Sequence, residues 1–109
     1  MLLPGNYNNV DHRTRLQDYA IEMEHLANEL GLEVLYVHIN LPKSKIKLNF
    51  HRSGQLTLAA SWSHKSKKWI YQHLGLTIAG DLPTALIKMQ QKKEIYCSQI
   101  FTPKPLRIN

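Results

Sequence analysis

The stretch Lys45–Trp62, KIKLNFHRSGQLTLAASW, decides the fold. Two runs of alternating polar and apolar residues flank the link Arg52-Ser53-Gly54. A period of two is typical of strands that bury one side, and the link has the length and the glycine of a three-residue hairpin loop. The stretch therefore predicts two antiparallel strands, over residues 45–51 and 55–62.

Further strands and two helices are predicted on either side of this hairpin. Leu32–Ile39 is rich in β-branched and aromatic residues and predicts a strand before it, and Lys68–Leu74 predicts a strand after it. Apolar residues at helical spacing predict a helix over Asp11–Leu30. The start signals Asp81-Leu82-Pro83-Thr84 predict a second helix that ends near Lys93.

These elements predict a single α+β domain over residues 1–109. The fold is an antiparallel three- to four-stranded meander with two helices packed on one face, in the order α-β-β-β-β-α. Glu94–Phe101 is a possible extra C-terminal strand, and residues 1–10 and 102–109 are expected to be flexible ends. The residues expected in the common core are Leu16, Met23, Leu30, Leu48, Phe50, Leu58, Ile70, Leu86 and Met89.

Strand pairing predicts which side chains share a face of the sheet. The hairpin loop places Asn49 opposite Thr57, and we assume that the next loop pairs Trp62 with Lys68. The face away from the core then has cations along one edge, small residues in the middle and flat rings along the other edge. Its members are Lys45, Lys47, Asn49, Thr57, Ala59, Ser61, Trp69, Tyr71 and His73.

The formal charge of +6 is distributed unevenly along the chain. Residues 1–42 hold two arginines against six carboxylates, a charge of −4, whereas residues 43–109 hold twelve cations against two carboxylates, a charge of +10. No acidic residue occurs between Val34 and Gly80. Such a region attracts polyanions, of which nucleic acid is the most abundant in a cell. Solubility, or an internal match between the acidic and basic parts, is the simpler explanation of the same pattern.

The charge and the predicted face together indicate a small basic nucleic-acid-binding module. Lysines suit phosphates, exposed rings stack on bases, and small residues let a strand lie close to the sheet. The candidate residues for binding nucleic acid or another partner are Lys45, Lys47, Asn49, His51, Arg52, Lys65, Lys67, Lys68, Trp69, Tyr71 and His73.

Two other functions fit the same sequence. A non-enzymatic adaptor or inhibitor would dock this face on an acidic protein surface. A homodimer would set the acidic helix of one subunit against the basic sheet of the other. Trp69 and Tyr71 would then be covered by the partner, or by the apolar segment around Tyr96 and Phe101.

Signals for catalysis and for metal binding are weak. Six histidines, Cys97 and eight carboxylates occur without the spacing of a metal site, so no metal and no cofactor is expected. Cys97 lies in an apolar stretch and is interpreted as a structural thiol. The basic part has neither a phosphate-binding glycine loop nor paired carboxylates, which argues against an enzyme. A phosphodiesterase that uses His51, His73 and Lys47 is the enzymatic alternative.

Composition also bears on where the protein works. A single cysteine excludes an internal disulfide, and nothing resembles a signal peptide or the ~18 to 20 consecutive apolar residues of a membrane-spanning helix. A soluble, cytoplasmic protein without a membrane partner is therefore expected.

With three strands in the meander, the order α-β-β-β-α over residues 12–92 is similar to that of double-stranded-RNA-binding domains. A sheet followed by a helix also resembles the sheet-type DNA-binding domains of some integrases. The resemblance is one of topology, because the start of the last helix, Asp81-Leu82-Pro83, lacks the basic cluster of the RNA-binding family. No residue roles are carried over from either family.

Overall fold

The computed structural model describes the backbone of residues 4–101 and the side chains of residues 12–98. Helix α1 spans Pro4–Glu29 and helix α2 spans Leu82–Phe101. Between them lie five strands: β1 Tyr36–Asn40, β2 Lys45–Asn49, β3 Thr57–Ser63, β4 Lys68–His73 and β5 Leu76–Ile78. Each strand pairs antiparallel with the next, in one sheet of order β1-β2-β3-β4-β5. The predicted α+β meander is confirmed.

Both helices are longer than predicted. α1 begins at Pro4 rather than at Asp11, and proline is favoured in the first turn because its missing N–H is not needed there. α2 continues through Glu94–Phe101, so the possible C-terminal strand is wrong. The apolar face of α2 recurs two turns beyond Met89 at Tyr96, which packs against the core. Over the described residues, no helix is both long and apolar enough to cross a membrane.

The predicted flexible ends overlap the described chain only in part. Residues 4–10 belong to α1, whereas residues 1–3 and 102–109 lie outside the described residues. Flexibility of either end stays a prediction.

Strand β5 was not predicted, and it follows a two-residue turn. Leu74 and Gly75 form this turn with φ angles of 49° and 84°, both in the left-handed region. Two successive left-handed residues match the twist of antiparallel strands and allow the tightest hairpin connection. Leucine is unusual at the first of these positions, so Gly75 is the only sequence signal for the turn.

The core lies between the two helices and one face of the sheet. Leu58 is completely buried at its centre, opposite Leu48 of β2. Leu30 is only partly buried against this core, and Ile70 belongs to the other face of the sheet. The remaining predicted core residues are buried: Leu16, Met23, Leu48, Phe50, Leu58, Leu86 and Met89.

Strand register is predicted correctly for one hairpin and wrongly for the next. Asn49 pairs with Thr57, as the loop between β2 and β3 predicts. Between β3 and β4, Ser63 rather than Trp62 pairs with Lys68. The second hairpin is therefore shifted by one residue from its predicted register.

The shift has its cause in a four-residue turn between β3 and β4. The carbonyl of Ser63 accepts a hydrogen bond from the Lys67 N–H at 2.7 Å, and Ser63 Oγ accepts one from the Ser66 N–H at 3.1 Å. Lys67 takes a left-handed φ of 54°, which closes the turn. A shift of one residue turns every side chain of a strand to the opposite face. The side chains that change faces in this way are Trp69, Ile70, Tyr71, Gln72 and His73.

Candidate functional site

The face of the sheet away from the helices is the candidate site. Because side chains alternate along strands, the residues that flank the buried Ile46, Leu48 and Leu58 lie on this opposite face, which we call the open face. From the observed registers, the open face comprises Tyr36, His38, Asn40, Lys45, Lys47, Asn49, Thr57, Ala59, Ser61, Ser63, Lys68, Ile70, Gln72 and Thr77.

Strands β1 and β2 carry a depression of about 210 Å³ on this face. In it, His38 lies opposite Lys47 and Asn40 lies opposite Lys45, as direct cross-strand neighbours. Lys43 completes the lining, and we call the five residues the lysine cleft. Every lining side chain carries a hydrogen-bond donor, and no carboxylate lines the cleft.

The turn between β1 and β2 is fixed to the rest of the protein through Ser44. Ser44 is buried and takes a left-handed φ of 52°. Its carbonyl accepts a hydrogen bond from the Trp62 N–H at 3.0 Å, and its Oγ is hydrogen-bonded to His12 Nε2 of α1 at 2.9 Å. Asn40 Oδ1 accepts a further bond from the Lys43 N–H at 3.1 Å. This turn therefore holds the backbone of both neighbouring lysines in place.

Among the side chains that the structure describes, no carboxylate lines the cleft beside these lysines. Within residues 12–98, none of the lysines of the cleft or of the β3–β4 turn forms an ion pair with a carboxylate. Lys65 and Lys67 lie in the β3–β4 turn and Lys68 begins β4, at the same end of the sheet as Lys45. Positive charge therefore extends from the lysine cleft to that end of the sheet.

Three other predicted residues do not join the cleft. His51 and Arg52 lie in the β2–β3 turn, at the opposite end of the sheet from Lys45. The His51 ring meets Tyr96 of α2 edge-on, with 5.0 Å between ring centroids. Asn49 belongs to the open face but is only 2% exposed, and its Oδ1 accepts a hydrogen bond from the His51 N–H at 3.3 Å.

The predicted aromatic edge of this face is wrong. Trp69, Tyr71 and His73 lie on the helix side, because of the shifted register of β4. Trp69 stacks on Tyr19 of α1 with 4.4 Å between ring centroids and 12° between planes. Tyr71 is 4% exposed and its hydroxyl is hydrogen-bonded to that of Tyr19, while His73 Nδ1 donates to the Thr57 carbonyl at 2.9 Å. These rings therefore contact α1 and do not line the open face.

The two hydroxyls of this tyrosine pair resist ionisation. Burial raises the pKa of Tyr19 above its usual range, and the hydrogen bond with Tyr71 and the charge of Glu22 act in the same direction. Burial is also the main cause of the raised pKa of Tyr71. Above about pH 10 an unfolded chain loses these protons while the folded protein keeps them.

Alkaline pH should therefore destabilise the protein through this pair. A phenolic pKa raised by folding contributes stability that is intact below about pH 10 and is lost as the pH rises further. We expect the stability of wild type and of Tyr19→Phe/Tyr71→Phe to diverge by up to about 1 kcal/mol per pH unit between pH 10 and 11. Urea unfolding at pH 8, 10 and 11 measures this. Parallel pH profiles for the two proteins would contradict it.

Four residues of β1 and of the β1–β2 turn were not among the predicted site residues: Tyr36, His38, Asn40 and Lys43. The alternation of Tyr36, His38 and Asn40 along β1 is the signal that could have found the first three. Pairing that strand with the start of β2 would have set them beside the lysines. Tyr36 is 59% exposed and is the aromatic ring of the open face.

The described residues show no constellation for metal chemistry. Among residues 12–98, no group of three or more His, Cys, Asp or Glu side chains is placed to hold a metal ion. His51 and His73, proposed with Lys47 for phosphodiester chemistry, are each engaged elsewhere, with Ser53 and with the Thr57 carbonyl. No protein-family model, curated protein or solved structure matches this chain.

Proposed function

We propose that this protein binds nucleic acid through the open face, with backbone phosphates in the lysine cleft. The observation that carries the proposal is the cleft itself, in which three lysines, a histidine and an asparagine converge and no carboxylate lies among them. Lysine ammonium groups and neutral amide or imidazole donors suit phosphate oxygens. A shallow depression on an open sheet also suits an extended polymer.

The second support is the extent of the positive surface. The positive charge continues beyond the cleft at Lys65, Lys67 and Lys68. The positive surface is therefore longer than a single phosphate group and can contact several phosphates. Tyr36 is the aromatic ring that the open face exposes, so it offers little surface on which bases can stack. Most contacts are therefore with the sugar-phosphate backbone of the nucleic acid and few are with its bases. We therefore expect binding that depends weakly on sequence and strongly on salt.

A salt titration of oligonucleotide binding tests this proposal. Fluorescence anisotropy would compare single-stranded DNA, single-stranded RNA and duplexes of about 20 nucleotides from about 25 to 200 mM salt. Lys45→Ala/Lys47→Ala is expected to weaken binding on the order of tenfold at low salt. It should also reduce the slope of log K against log salt by up to about 1.8 for a duplex, since two phosphate contacts are lost.

A matched control separates the cleft from net charge. Lys88→Ala/Lys92→Ala removes the same two charges from exposed positions on α2, which packs on the other side of the sheet. This control should keep most of the wild-type affinity and slope. Equal losses in the two double variants would reject the cleft as the site. No oligonucleotide binding at low salt would reject nucleic acid altogether and favour an acidic protein partner.

A further inference from the structure

A second cavity, of about 300 Å³, lies on the helix side of the sheet. It opens between α1 and the adjoining ends of β3 and β4, so the sheet separates it from the lysine cleft. Its apolar wall is aromatic and its rim carries charged side chains of α1. The proposed nucleic-acid contact uses none of these residues.

Three rings form the aromatic wall. Trp62 and Trp69 pair directly across β3 and β4, and their indole planes meet at 65° with 5.5 Å between centroids. Tyr19 stacks on Trp69 and holds that indole in place. Both tryptophans are only half-buried. Two indoles at a steep angle therefore form a corner that lies partly open to solvent.

Two carboxylates lie on the rim beside this corner. Asp18 and Glu22 are four residues apart, so they lie on the same face of α1, and both are exposed. Neither has an ion-pair partner among the residues that the structure describes. The charge of Glu22 acts on the aromatic wall, since it helps to raise the pKa of Tyr19. Arg15 and His12 also line the cavity, so with histidine counted as neutral the lining carries two negative charges and one positive charge.

We propose that this cavity binds an organic ammonium group of the quaternary type, such as the trimethylammonium of choline or of trimethyllysine. The negative faces of indole and phenol rings attract such a cation, and its methyl groups lose little hydration when they contact the rings. The carboxylates of Asp18 and Glu22 attract the same charge and repel anions. A ligand with an apolar surface and a positive charge can contact the aromatic wall and interact favourably with the carboxylates of the rim at the same time.

Choline and its uncharged isostere 3,3-dimethylbutan-1-ol provide the test. Both would be titrated into the full-length protein, with tryptophan fluorescence and the NMR signals of the two indole N–H groups as readouts. We expect choline to bind about three- to thirtyfold more tightly, because only the charged compound gains from the rings and carboxylates. Equal affinities would show an ordinary apolar cavity and would overturn the proposal.

Variants at the rim complete the experiment without touching the core. Asp18→Asn/Glu22→Gln should lower the choline affinity by about threefold or more and flatten its salt dependence. Glu94→Gln, an exposed carboxylate of α2 away from the cavity, should leave the affinity unchanged. Undiminished choline binding in the double variant would also overturn the proposal. Choline binding does not depend on whether the lysine cleft binds nucleic acid.

Discussion

Leu58→Ala is expected to lower the free energy of unfolding by about 2 to 5 kcal/mol. Leu58 is fully buried in β3, opposite Leu48 and between the helices and the sheet. Truncation removes its transfer free energy and leaves a cavity that surrounding strands cannot close completely. For a domain of this size such a loss is a large part of the total stability.

Urea unfolding monitored by circular dichroism measures this loss at neutral pH. Leu76→Ala is the matched control, since Leu76 is 72% exposed on the edge strand β5. The control should change stability by no more than about 0.5 kcal/mol, as surface substitutions usually do. A Leu58→Ala protein as stable as this control would mean that the register of β2 and β3 is wrong.

The β2–β3 hairpin was predictable because two local signals agree. Strict alternation separates Ile46 and Leu48 from Lys45 and Lys47, and a loop of suitable length sets the pairing. Since one face is apolar and the other is not, a slip by one residue would bury lysines. The free-energy cost of burying lysines therefore excludes the shifted registers, and the structure has the remaining one.

The β3–β4 hairpin was not predictable in the same way. Strand β4 has apolar or aromatic side chains on both faces, with Trp69 and Tyr71 on one and Ile70 on the other. Alternation cannot choose between two registers when each buries comparable apolar surface. The observed register depends on the left-handed φ of Lys67 and on the hydrogen bonds to Ser63. Neither feature can be predicted from the residue types in the turn.

The candidate site, too, was predictable only where local sequence determines the strand register. Lys45 and Lys47 were found because they alternate with core residues on a strand whose register was predicted. His38 and Lys43 were missed because their placement depends on how β1 pairs and on the buried turn at Ser44. The helix-side cavity was missed because it needs α1 to lie against Trp69, a long-range contact.

Trp69→Ala is expected to destabilise the protein by about 2 to 3 kcal/mol. On the predicted face this ring would have been free, and its loss would have affected binding alone. In the structure it stacks on Tyr19 and meets Trp62 edge-on, so truncation removes an aromatic cluster that ties α1 to the sheet. The expected loss is below that of a fully buried tryptophan because Trp69 is half-buried.

Tyr36→Ala is the control that distinguishes a structural ring from an exposed one. Tyr36 lies on the open face with 59% exposure, and its loss should change stability by less than about 1 kcal/mol. Thermal and urea unfolding of the two variants, with near-ultraviolet circular dichroism to follow the aromatic cluster, make the comparison. If Trp69→Ala were as stable as Tyr36→Ala, α1 would not depend on this stack and the assignment of Trp69 to the helix side would fail. If it unfolds earlier, as expected, any loss of oligonucleotide binding must be measured on the folded fraction, because the ring does not belong to the surface that we propose to bind phosphates.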